Sequence, residues 1–211
     1  MAQYQQSPIE RMGAVFDPNF MNFYNGILPN CDPDYKIGVC DVALGGSDYL
    51  AFVVAYVYQF DTGQEVYITD VVFSSEDKKV TRPLVRDMIL KHKIDRALFE
   101  ANNGGELYRE DIEEMLKNRG YRLNIRSRFA PTNTRKQNRI YDKAPEIREF
   151  YFLENGMRSK DYIKFMQNVF SFTMFGKNKH DDAPDALAIL ASEVNGTWNP
   201  VRTMKRSSLP I

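Results

Sequence analysis

Regular alternation of hydrophobic and polar positions begins at residue 36. Residues 36–44, in which Ile37, Val39 and Val42 stand among small and polar side chains, read as the first strong strand. Gly45-Gly46-Ser47 separates it from a second strand, 49–60, rich in β-branched and aromatic residues, and Asp61-Thr62-Gly63-Gln64 turns the chain into a third, 65–73. Loops this short join neighbouring antiparallel strands, so the three form a meander. From residue 76 the period becomes helical. The segment 76–92 carries Pro83 near its middle, which predicts a break or a late start at that proline. A short buried strand is expected over 96–101 and a helix over 105–119 with Leu107, Ile112, Met115 and Leu116 inward. Another strand follows over 121–126, then helices over 134–150 and 161–170. Residues 184–194 are apolar on nearly every helical face, as for a helix buried against the sheet. Alternating strand and helix units imply a parallel half. The expected fold is therefore α/β: a mixed sheet of three antiparallel strands, then two strands parallel to the opener, with helices on both faces.

The ends differ from this body. Residues 1–34 scatter Pro8, Pro18, Pro29 and Pro33 among Phe16, Phe20, Phe23 and Tyr24, which suggests an extension docking by its aromatics. Residues 35–195 are the expected globular domain, and 196–211, with Arg202, Lys205 and Arg206, a flexible basic tail. A chain of 211 residues buries enough surface to fold unaided. Its 13% aromatic content and balanced charge exclude wholesale disorder. No apolar run approaches the roughly 20 residues that cross a bilayer, and residues 1–10 are too polar for a secretory signal. Two cysteines make neither a disulfide framework nor a zinc site, which leaves a reducing, cytoplasmic setting as the expectation. With 28 basic and 28 acidic side chains the chain has no uniformly basic coat, so the distribution of charge carries the information.

Acids stand where apolar residues are expected. Alternation puts Asp41 on the same strand face as Ile37, Val39 and Ala43, where a carboxylate is costly unless paired or bound to a cation. Glu100 ends the apolar run Ala97-Leu98-Phe99 and precedes Ala101-Asn102-Asn103-Gly104-Gly105, at the carboxyl end of a strand where such sheets meet ligands. The third group is His180-Asp181-Asp182-Ala183-Pro184-Asp185. Pro184 marks the first turn of a helix whose amides Asp181 or Asp182 can cap, yet three carboxylates and a histidine in six residues exceed what a cap requires. Gathered together, these acids repel one another unless divalent cations compensate them. Oxygen donors with at most one histidine select Mg²⁺ or Mn²⁺, and two such ions suit phosphodiester hydrolysis.

A basic stretch complements the acids. Arg119, Arg122, Arg126, Arg128, Arg135, Lys136, Arg139 and Lys143 face the single acid Asp142 within 119–143, a concentration suited to a phosphate backbone. Arg126, Arg128, Arg135, Lys136 and Arg139 are the candidate DNA contacts, with Asn102, Asn103, Thr132, Asn133 and Gln137 as neutral additions. Phe165, Phe170, Phe172 and Phe175 read as core or docking surface, and His92 as an ordinary surface residue.

These segments resemble the C-terminal nuclease domain of the large terminase subunit of tailed bacteriophages, a ribonuclease H-like, RuvC-type fold. The resemblance spans about 30–195 and rests on four stretches: 41–48, Phe99 to Gly105, Thr134-Arg135-Lys136-Gln137-Asn138-Arg139-Ile140, and, most specifically, His180 to Ala188. It implies a two-metal endonuclease that cuts concatemeric double-stranded viral DNA during genome packaging. The implied metal-binding acids are Asp41, Glu100 and Asp182, with Asp181, Asp185 and His180 as neighbours, and the choice of third ligand among Asp181, Asp182 and Asp185 stays open. It implies further an ATPase domain on the same polypeptide, a portal protein and a small terminase subunit as partners, and the host cytoplasm as location without membrane attachment. The ATPase's phosphate-binding loop has no match, so the chain reads either as an excised nuclease domain whose first 34 residues are the interdomain connection, which is the favoured expectation, or as a nuclease that stands alone.

On this reading Asp41 bridges two ions, Glu100 and Asp182 or Asp185 complete them, and His180 or a lysine moves a proton. Contacts to phosphate rather than base edges imply low sequence selectivity. A Holliday-junction resolvase of the same fold and a non-catalytic DNA-binding or assembly module are the alternatives. An actin-like nucleotide-binding fold would want glycine-rich phosphate loops in both halves, where only Gly45-Gly46 offers itself.

Overall fold

The computed structural model describes residues 13–42, 48–101, 104–129, 135–174, 178 and 180–195. Seven strands, β1 (Asn22–Tyr24), β2 (Tyr35–Asp41), β3 (Leu50–Phe60), β4 (Gly63–Ser74), β5 (Arg96–Glu100), β6 (Asn124–Arg128) and β7 (Tyr151–Leu153), form one mixed sheet in the order β1-β7-β4-β3-β2-β5-β6. β2, β3 and β4 are the antiparallel meander. β5 then pairs parallel with β2, and β6 parallel with β5. Five helices cover the sheet: α1 (Lys78–His92), α2 (Gly105–Lys117), α3 (Lys136–Arg148), α4 (Lys160–Ser171) and α5 (Asp182–Val194).

Strand alternation sorts the interior into two layers. Ile37, Val39, Val53 and Ile68 point to the layer closed by Ile140 and Ala144 of α3, Phe165 and Val169 of α4, and Leu187 and Leu190 of α5. Cys40, Phe52, Val54 and Phe99 point the other way, against Val85 and Ile89 of α1 and Tyr108, Ile112 and Leu116 of α2. Asp41, two residues beyond Val39, faces the α5 side. Ten of α5's thirteen residues are buried, as its all-round apolar pattern requires.

Several local expectations are corrected. α1 runs unbroken through Pro83. A proline in the second turn forfeits the bond to the Lys79 carbonyl, but Asp77 caps the start by accepting from the Lys79 amide at 2.8 Å, and buried Thr81, Val85 and Ile89 hold the helix to the sheet. In α2 the inward residue is Tyr108, 1% exposed, whereas Leu107 is 66% exposed. His92 is no surface residue: its ring nitrogens lie 3.0 Å from the Tyr56 hydroxyl and 3.1 Å from the Asp70 carboxylate. Burial alone raises Asp70, but hydrogen bonds from His92 and Lys91 outweigh it and hold its carboxyl below the usual range.

Two strands not expected from the pattern, β1 and β7, form one side of the sheet, β1 parallel to β7 and β7 parallel to β4. Phe16 is fully buried against Phe172, and Ala14 bridges Thr173. Tyr24 is buried, and Phe20 is exposed. Phe165 and Phe172 lie in the core, while Phe175 falls outside the described residues, as do residues 1–12 and the tail 196–211.

Candidate metal centre

The site is assembled by three element ends. Asp41 closes β2 and Glu100 closes β5. Because Cys40 pairs with Phe99 in parallel register, the two acids stand side by side at the same edge of the sheet. α5 starts against this edge and brings Asp182 and Asp185 from its first turn. Ligand oxygens of Asp41, Glu100 and Asp185 lie within 4.8 Å of one another. A second group, Asp48, His180 and Asp182, satisfies the same limit beside it.

The strand end at Glu100 packs against the start of α2. Gly104 has φ of 82°, and a Cβ at Gly105 would fall on the Glu100 carbonyl, so α2 begins in direct contact with the strand end that carries the acid. On α5 the expected capping by Asp181 or Asp182 is replaced. Asp181 stands at the cap position without a side-chain cap bond, and Asp182 accepts instead from the Tyr49 amide at 3.0 Å. The orphan amide of Ala183 donates to Oδ1 of Asn168 at 3.1 Å, while Nδ2 of the same residue donates to the His180 carbonyl at 3.0 Å. Asn168, on α4, therefore clamps the start of α5 and frees its acids for other partners.

Those partners include the cations of α3. Nζ of Lys136 lies 3.2 Å from carboxylate oxygens of Asp41, Asp181 and Asp182 and 3.4 Å from Asp185. Nη2 of Arg139 donates to both oxygens of Asp185, at 2.9 and 2.7 Å, and lies 3.6 Å from Glu100. Among the described residues, five carboxylates thus have Lys136 and Arg139 within ion-pairing distance. Burial pushes the Asp41 carboxyl up to about 6; Lys136 opposes this, and Asp185 and Asp182 add to it. Asp185 is likewise raised by burial to about 6, against Lys136 and Arg139 and with Glu100. For Lys136 burial alone would lower the pKa, but the acids, Asp41 first, outweigh it and raise the ammonium well above its usual value.

The cations read from the sequence divide accordingly. Lys136 and Arg139 turn inward to the acids. Arg126 is exposed and paired with Glu193, and Arg128 and Arg135 are exposed. His180 contacts the Tyr49 ring edge-on at 5.7 Å, and its buried Nδ1 has no hydrogen-bond partner among the described residues. Asn102, Asn103, Thr132 and Asn133 lie outside the described residues, as does the Gly45-Gly46-Ser47 turn. Sequence reasoning missed Asn168 and the inward course of Lys136. Only the latter had a signal: Lys136, Arg139, Ile140 and Ala144 share one helical face, and its apolar members are buried. A cleft of about 190 Å³ adjoins the pocket, lined by Glu100, Arg128, Arg139, Lys143, Ile189 and Ser192 among others.

The donor set, hard carboxylate oxygens gathered in a largely buried pocket, fits Mg²⁺ or Mn²⁺. Among the described residues no helix is long and apolar enough to cross a membrane. No protein-family profile and no curated protein matches the chain. Its fold is that of solved nuclease domains of phage large terminase subunits. It is similar to the magnesium-bound large terminase nuclease of thermophilic phage G20c (15% identity, 86% of this chain and 98% of that one, TM-score 0.55). It is similar also to the nuclease domain of the large terminase subunit gp2 of bacterial virus Sf6 (10%, 76% and 89%, TM-score 0.54). The manganese-bound g2p nuclease domain of bacteriophage SPP1 matches at 14% identity over 85% of this chain and 95% of that one, with a TM-score of 0.50. At these identities the likeness establishes the ribonuclease H-like fold, with its mixed sheet and helices on both faces.

Proposed function

We propose that the chain is a divalent-metal-dependent endonuclease that cleaves double-stranded viral DNA during genome packaging, as the nuclease part of a large terminase subunit. The observation that carries this reading is the convergence of Asp41, Glu100 and Asp185 from two strand ends and a helix start, with Asp181 and Asp182 beside them. The likeness to terminase nucleases, two of them solved with Mg²⁺ or Mn²⁺, supports it.

Asp41, Glu100 and Asp185 would hold one ion, and Asp182, with Asp48 and His180, a second. Ions so placed supply Lewis acidity toward a phosphodiester and lower the pKa of bound water. The protein's own part is positional. Register between β2 and β5 sets the spacing of Asp41 and Glu100, and Asn168 and the Tyr49 amide orient the first turn of α5. Burial excludes competing water from Asp185, which is 1% exposed. His180, whose ring meets Tyr49 edge-on, would pass a proton where it does not ligate the second ion. Arg126, Arg128 and Arg135 would take the flanking phosphates, giving low sequence selectivity. An ATPase domain, a portal protein and a small terminase subunit are the partners of this role.

Asp41→Asn tests the assignment. The variant is expected to keep its far-UV circular dichroism and lose cleavage of plasmid DNA in Mn²⁺ by on the order of a hundredfold or more, as for removal of a group acting on transition-state charge. Cleavage at the wild-type rate would remove Asp41 from the site.

A further inference from the structure

We propose that the ammonium of Lys136 and a divalent ion are alternative occupants of the acidic pocket, so that ion binding exchanges Lys136 out of the carboxylates and leaves it available to substrate phosphate. The proposal rests on the metal-dependent reading above and adds Lys136, to which that reading gives no role.

The geometry leaves little choice. Lys136 Nζ does not lie beside one acid. It lies between four, at 3.2, 3.2, 3.2 and 3.4 Å from Asp41, Asp181, Asp182 and Asp185. These contacts come from the first residue of α3, reaching across to β2 and to the start of α5. An ion coordinated by Asp41 and Asp185 at the roughly 2.0–2.2 Å typical of Mg²⁺ or Mn²⁺ would use oxygens that Lys136 already contacts. Two cations on the same oxygens, in a pocket where water screens poorly, repel each other strongly. One must leave, and the divalent ion brings twice the charge of the ammonium to the same oxygens.

The two cations are not equivalent in this respect. Arg139 holds Asp185 by a forked contact from one nitrogen and reaches Glu100 from the next turn of α3, so it can keep those two acids oriented. Lys136 has a four-carbon stem and a terminal charge without directional demands, and its side chain is 33% exposed, so a path to solvent exists. The preceding residue, Arg135, is exposed, and Arg139, one turn on, lines the cleft together with Arg128 and Lys143. Once out, Lys136 adds its charge to those that would face a phosphate backbone. Ion binding and DNA binding are thereby coupled with the same sign, because an ion that releases Lys136 also supplies DNA with a further contact.

The experiment is calorimetric titration of Mn²⁺ into the wild-type chain, Lys136→Met and Lys136→Arg, with thermal unfolding of each in chelator. Lys136→Met removes the competitor and keeps the stem. It is expected to bind Mn²⁺ about tenfold more tightly than wild type, a shift of about 1.4 kcal/mol. In chelator it should unfold at a lower temperature than wild type, because its carboxylates lose their counter-charge. Lys136→Arg keeps the charge and should restore wild-type behaviour in both measurements. A structural role alone would lower stability without tightening the ion. Equal or weaker Mn²⁺ binding by Lys136→Met overturns the exchange while leaving the metal centre standing. Absence of Mn²⁺ binding in all three proteins overturns the metal centre itself, and the exchange with it.

Discussion

Asp41 and Asp185 hold protons more tightly in the folded chain than in the unfolded one, each with its pKa raised from 3.8 to about 6. Between those values the folded state binds more protons than the unfolded state, so stability falls as pH rises through the interval, and the cost is fully present above the folded pKa. Melting temperature in chelator should therefore decline from about pH 4 to about pH 6 and level off above that, at about 1.4 kcal/mol for each tenfold difference in proton affinity between the two states. Asp41→Asn should flatten that decline, because its amide does not titrate. Differential scanning calorimetry of both proteins across the interval checks this, and parallel curves would show that Asp41 is not strained by burial. A divalent ion should raise the wild-type melting temperature more at the upper end than at the lower, since only ionised carboxylates bind it well.

Elements, more than single residues, decide where these acids end up, and α4 shows how. Asn168 offers its amide oxygen to the Ala183 N–H and its amide nitrogen to the His180 carbonyl, replacing the cap that the local sequence of α5 does not supply. Asn168→Ala should cost about 1–2 kcal/mol, the usual worth of a helix cap, and should weaken Mn²⁺ binding although Asn168 contacts only backbone groups of Ala183 and His180. Asn168→Asp, which can still accept from Ala183 but not donate to His180, should recover part of the stability. Calorimetry with Mn²⁺ titration separates the two effects, and an unchanged Mn²⁺ affinity in Asn168→Ala would confine the clamp to stability. Nothing in the sequence around Asn168 announces this, because its partners lie 12 and 15 residues further along the chain. The convergence of strand-borne acids was legible as an anomaly: a carboxylate directly after Ile37-Gly38-Val39-Cys40 or after Ala97-Leu98-Phe99 interrupts an apolar pattern. The meander, β5, β6 and the five helices were legible for the same reason, each being long enough to show a period. β1 and β7 were not, since three residues cannot display alternation and their pairing joins segments distant in the chain, Asn22 with Tyr151. Leu107 and Tyr108 differ by one position, a rotation of about 100° on a helix, which hydrophobicity alone does not resolve.

At the scale of the whole molecule, 28 positive and 28 negative side chains cancel, yet they are not mixed evenly. Acids collect at the carboxyl ends of β2 and β5 and the start of α5, and exposed arginines collect on the adjoining β6 and the approach to α3. A duplex brought to such a surface meets a negative centre within a positive margin, and only the margin attracts it before ions are bound. Arg128 lines the cleft that adjoins the acids, whereas Arg126 is already paired with Glu193. The two arginines, alternate residues on the same side of β6, should therefore differ. Arg128→Ala should weaken duplex binding about equally across sequences and lower the slope of log affinity against log salt by about 1, the signature of one phosphate contact. Arg126→Ala should change the slope less, because freeing Glu193 adds a negative charge to the margin as the arginine is removed. Fluorescence anisotropy of a labelled duplex over a salt series, in chelator so that no strand is cut, measures both slopes. Equal slopes for Arg128→Ala and wild type would place the DNA path away from β6, and the basic stretch would then be a solvated face beside a metal centre that receives its substrate from another side.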